Sequence, residues 1–113
     1  MSRGMGKLQR EILDYLHEVL DEELRWASNS TYVINEIDVR SDDDIAQRAY
    51  RAKPTHSQYM NIEQALHRLE KADVAARYPR IYRCDRSDHS PAFHLTEARR
   101  VVEEASRRSR EEW

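Results

Sequence analysis

Leucine or isoleucine returns every fourth residue at Leu8, Ile12, Leu16, Leu20 and Leu24, and no other feature of the 113-residue chain restricts its fold as much. That spacing keeps one stripe of an α-helix apolar and predicts an amphipathic helix over 7–26, with Leu13 and Val19 widening the buried face. Its other side carries Glu11, Asp14, Glu18, Asp21 and Glu22 and is too acidic to face a polyanion. The composition is polar, 39% hydrophobic and 35% charged. Because the apolar residues recur with helical or strand spacing, disorder along the whole chain is excluded.

The rest of the chain divides at punctuating residues. Ala27–Ser30 is a small polar break, and Thr31–Val39, rich in β-branched residues, predicts extended structure. Ser41 has the character of an N-cap, with Asp42, Asp43 and Asp44 in the first turn, where the helix dipole favours negative charge. This reading of the acidic triplet outweighs a metal site. Ile45, Ala46 and Ala49 form a short apolar face, and the helix must stop before Pro54. Thr55 is a second N-cap, opening a helix to about Ala72 with Ile62, Ala65, Leu66 and Leu69 as its core stripe. Asp73 follows where a left-handed residue is expected. Val74–Tyr82 predicts a strand interrupted at Pro79, Arg83–Pro91 a polar turn region and Ala92–Leu95 another strand. Thr96 is expected to cap a last helix, with Glu97 in its first turn and Ala98, Val101, Val102 and Ala105 on its apolar side. The expectation is a mainly α, α+β single domain over 1–113, with its core at 7–105 and flexible ends at 1–6 and 106–113.

Several functions drop out. No stretch approaches the roughly 18–20 apolar residues of a membrane span. Met1–Lys7 lacks the apolar core of a secretory signal, which makes a cytoplasmic location the expectation. The lone Cys84 excludes an intramolecular disulfide, and two glycines exclude a Gly-rich phosphate loop. Cys84, His89 and His94, with Asp85 and Asp88, match no metal-ligand spacing. No paired-carboxylate site or nucleophile elbow is present. The chain is expected to be no enzyme and to hold no metal or cofactor.

Charge is segregated. Residues 1–50 carry 6 Lys/Arg against 11 Asp/Glu, whereas residues 51–100 carry 10 against 6. A positive middle inside a chain of net charge −2 points to a local field at one contact face. On the third predicted helix, the side opposite the core stripe gathers Ser57, Met60, Asn61, Gln64, His67, Arg68 and Lys71. Ser57, Asn61, Gln64 and Arg68 form a strip without acidic residues. Asn and Gln pair with adenine edges and Arg with guanine; Glu63, at the border, either accepts from cytosine or is simply solvated. Lys53, Thr55 and His56 stand where a helix N-terminus meets phosphate, and Gln58 completes the reading set. Arg77, Arg80, Arg83 and Arg86, interleaved with Tyr78 and Tyr82, suit backbone or minor-groove contact.

Three segments resemble one family. IEQALHRLEKADVAARY at 62–78 resembles the segment from recognition helix to wing of winged helix-turn-helix transcription regulators of the MarR and PadR kind. HLTEARRVVEE at 94–104 is similar to the step that leaves the wing, and DDIAQRAY at 43–50 resembles the helix before the recognition helix. Asp73 and Ala98 stand where the family usually has glycine. The resemblance implies binding to double-stranded DNA as a dimer, with helix 55–72 in the major groove and the hairpin 74–95 on backbone or minor groove. Leu20, Leu24, Val101, Val102 and Ala105 are the expected dimer interface. Two alternatives stay open: a winged helix that binds protein through its acidic face, and a repressor responding to a metal or other ligand.

Overall fold

The computed structural model describes residues 6–29, 37–77 and 92–111. Helix α1 spans Lys7–Ala27 and buries Ile12, Leu16, Val19, Leu20, Glu23 and Ala27, the stripe expected from the four-residue repeat. Its end is closed by the Ser28 amide on the Leu24 carbonyl and the Ser28 hydroxyl on the Arg25 carbonyl.

Strand β1 is short, Arg40–Ser41, and runs directly into helix α2, Asp42–Tyr50. The β-branched run predicted extended structure up to Val39; 37–39 form no strand, and 30–36 lie outside the described residues. What makes Arg40–Ser41 a strand is its partner: Arg40 pairs with Phe93 and Ser41 with Ala92, in strand β3 (Ala92–Leu95). Ser41 then caps α2, its hydroxyl oxygen accepting the Asp44 amide at 3.1 Å. The helix ends at Arg51, which is left-handed at φ 58° and returns its amide to the Gln47 carbonyl.

Helix α3, His56–Lys71, begins with a full capping box. Thr55 Oγ1 accepts the Gln58 amide at 3.1 Å, and Gln58 Oε1 accepts the Thr55 amide at 3.0 Å. It ends in a Schellman arrangement, with Asp73 at φ 63°, the Asp73 amide on the Glu70 carbonyl and the Val74 amide on the Leu69 carbonyl. An aspartate thus takes the conformation usually given to glycine. Strand β2, Ala75–Arg77, pairs antiparallel with β3, Ala75 opposite Leu95 and Arg77 opposite Phe93. The sheet order is β1-β3-β2. The mainly helical α+β class is therefore as expected.

Helix α4, Ala98–Glu111, departs from expectation at both ends. The Glu97 carbonyl accepts the Val101 amide, so the helix begins past Thr96, and Glu97 precedes the first turn. Beyond Ala105, where a polar flexible end is expected, the helix runs on to Glu111. Ser106 is buried and accepts a bond from the Arg110 guanidinium, and Ser109 donates to the Ser28 carbonyl at 2.9 Å. Serines at these positions continue the Ala98–Val102 stripe with small side chains and let α4 lie close against α1.

The buried core draws on every helix and on β2 and β3, with Ile12, Leu16, Ile45, Ile62, Leu69, Phe93 and Val102 essentially sealed from solvent. Leu20 and Val102 belong to it, at 8% and 0% exposure. They pack within the chain, which corrects their assignment to a dimer interface; Leu24, Val101 and Ala105 are half-buried. No helix among the described residues is long and apolar enough to cross a membrane.

Candidate nucleic-acid interface

Helix α3 turns Ile62, Ala65, Leu66 and Leu69 inward and leaves Ser57, Met60, Asn61, Gln64, His67, Arg68 and Lys71 exposed. Successive side chains step round a helix by about 100°. The strip Ser57–Asn61–Gln64–Arg68 is therefore continuous along one side of that exposed face. Met60, Glu63, Gln64, His67 and Arg68 line a shallow depression at its middle. Arg68 and Lys71 have no carboxylate partner among the described residues. Several guanidinium groups elsewhere are paired, Arg48 with Glu18 at 2.6 Å, Arg99 with Glu103 at 2.7 Å and Arg107 with Glu111 at 3.2 Å, whereas Arg10, Arg25 and Arg51 resemble Arg68 in having no such partner among the described residues.

The N-terminal end of α3 divides the residues placed there. His56 and Lys53 are exposed, and the first turn holds no acidic side chain to offset the positive end of the helix dipole. Thr55 and Gln58 hold each other's backbone amides in the cap, and Gln58 is half-buried. Their acceptor oxygens complete the helix terminus, whose orphan amides need partners, which leaves the Thr55 hydroxyl proton and the Gln58 amide nitrogen as the groups available to a base or phosphate.

Arg77 is reassigned. Its Nε and one terminal nitrogen donate to Glu70 at 3.2 and 3.1 Å, and its guanidinium lies 5.0 Å from the centre of the Phe93 ring. It ties the C-terminal turn of α3 to the β2–β3 pair instead of offering a free cation. Arg80, Arg83 and Arg86 lie in the connection between β2 and β3, outside the described residues, as do Cys84 and His89. His94, the remaining member of that trio, has Nδ1 2.7 Å from the Leu95 carbonyl. Among the described residues, no group of three or more His, Cys, Asp or Glu is arranged to hold a metal ion.

The junction of α2 and α3 contains a feature the sequence reading missed. Asp42 is 4% exposed, whereas Asp43 and Asp44 face solvent. Burial raises the Asp42 carboxyl above its ordinary range. A hydrogen bond from the Tyr59 hydroxyl opposes this, and the negative charges of Asp43 and Glu63 add to it. Tyr59 in turn is held protonated well above the usual phenol range, by burial first and then by Asp42. Oδ1 of Asp42 has no hydrogen-bond partner among the described residues. The signal was present: Asp42 lies three and four residues before Ile45 and Ala46, on their buried face.

No family model matches this chain, and no curated protein or solved structure matches it either.

Proposed function

We propose that the protein is a winged helix-turn-helix regulator that binds double-stranded DNA, with α3 in the major groove and the β2–β3 hairpin beside the backbone. The observation that carries this reading is the outward face of α3. It sets Ser57, Asn61, Gln64 and Arg68, which has no carboxylate partner among the described residues, side by side on an exposed helix whose first turn is free of acid. The order helix, strand, helix, helix, strand, strand, helix, with β3 between β1 and β2, supports it, because it is compatible with a winged-helix arrangement. Arg80, Arg83 and Arg86 supply backbone contacts from the hairpin connection. A second copy meets the first through surface left by Leu24, Val101 and Ala105 and spaces two reading helices about 34–36 Å apart.

The test is fluorescence anisotropy with duplexes enriched from a random pool, titrated at several salt concentrations. Affinity falls as salt rises, because each neutralised phosphate releases counterions. Arg68→Ala loses about 1–3 kcal/mol of discrimination at one base pair. Arg83→Ala weakens all duplexes alike and shallows the salt slope. Negligible duplex binding at low salt overturns the reading. Exposed Glu11, Asp14, Glu18, Asp21 and Glu22 on α1 favour a competing one, a protein-binding module with a basic partner. Capture of a protein partner, with charge reversal at Arg80–Arg86 having no effect, would support that module instead.

A further inference from the structure

Met60 and Trp26 are the large hydrophobic side chains left exposed among the described residues, Met60 at 42%. Met60 stands near the middle of the face of α3 that points away from the core. Gln64 lies one turn further on, and both side chains line the same depression as His67 and Arg68. Every other side chain of that depression is polar, and Met60 neither packs into the core nor closes a cap. A thioether is at most a weak acceptor, so Met60 cannot read the donor and acceptor pattern of a base edge. The major-groove edges of the four base pairs present one apolar group, the C5-methyl of thymine.

We infer that Met60 reads a thymine methyl. The half-site recognised by α3 then carries a thymine beneath Met60, adjacent to the bases contacted by Gln64 and Arg68. This rests on the DNA-binding reading above and names a base in its target. The position suits the role: Met60 lies one turn before Gln64 on the same exposed face of α3. Its unbranched, flexible chain can follow a methyl group through small changes in docking.

The experiment begins with selection of duplexes from a random-sequence pool by the full-length protein. In the best selected duplex, each thymine is then replaced singly by deoxyuracil, which deletes the methyl and leaves pairing intact. One thymine in each half-site is expected to lose about three- to fivefold in affinity on that replacement, the worth of one buried methyl. The same replacement is expected to cost Met60→Ala nothing, with Met60→Leu keeping most of the effect. A uracil scan that finds no such thymine, or one whose loss is equally large in Met60→Ala, overturns the assignment while duplex binding itself stands. If no duplex is enriched and none binds at low salt, the DNA-binding reading fails and the assignment falls with it. Circular dichroism of both variants separates a reading defect from misfolding, since Met60 is exposed and its replacement should leave the spectrum unchanged.

Discussion

At the scale of single residues, the consequential side chains are polar ones placed where water is scarce. Asp42 is the clearest case. A buried carboxylate with one unpartnered oxygen costs free energy in its charged form, so the folded protein holds the proton more tightly than the unfolded chain. The sign follows. The folded pKa is raised, so the stability due to Asp42 is present below about pH 3.9, the ordinary aspartate value, and is lost as pH climbs through the folded pKa. Asp42→Asn cannot titrate. In urea unfolding between pH 4 and 7, the variant is expected to gain on the wild type as pH rises. Glu18, lowered by its hydrogen bond to Arg48, acts in the opposite direction but is common to both proteins and cancels in the difference. A stability difference that stays flat across that range would show that Asp42 is not the titrating group. Arg77 makes the converse point: its residue type suits phosphate, yet its neighbours Glu70 and Phe93 give it a structural bond.

The two central helices, α2 and α3, are delimited by distinct local devices that are readable residue by residue. Ser41 and Thr55 each accept the amide three positions on, and Asp73 adopts the left-handed turn that ends α3. The α3 cap lies next to the proposed reading strip, so its loss has two separable effects. Thr55→Ala removes the acceptor for the Gln58 amide and should lower unfolding free energy by about 1 kcal/mol. Because the core stripe Ile62–Leu69 lies one turn inside the helix, the far end of α3 should keep its protection. Hydrogen exchange is expected to show faster exchange confined to about residues 56–60, with Leu66 and Leu69 amides unchanged. Uniform loss of protection through Lys71 would mean that the cap, and not the core, holds α3 in place. Strands behave differently. β3 was legible as Ala92–Leu95, a short apolar run after turn residues, but β1 was not. Arg40–Ser41 has no strand signature of its own and becomes a strand because Phe93 and Ala92 present free backbone groups beside it.

Across the whole molecule, the last helix closes onto the first, the C-terminal end of α4 meeting the C-terminal end of α1. Helix α4 packs along α1, and its last turns are fastened by Ser109 on the Ser28 carbonyl and by buried Ser106. Deleting residues 106–113 should therefore lower the unfolding free energy, by about 1 kcal/mol for the Ser109 hydrogen bond that crosses the α1–α4 seam, in addition to the packing of buried Ser106. A frayed tail would leave the urea midpoint unmoved, so an unchanged midpoint would refute the seam. The local signals that announced α1, the two hydroxyl caps, the Asp73 turn and the outward face of α3 share a property. Each depends on spacing within one element or on backbone chemistry a few residues away, which a linear sequence records directly. The position of β1, the burial of Asp42 and Ser106, the capture of Arg77 and the withdrawal of Leu20 and Val102 into the core depend on residues far apart in the chain. Only packing in three dimensions chooses which side of a polar or apolar residue is covered, because burial is decided by what another element places against it.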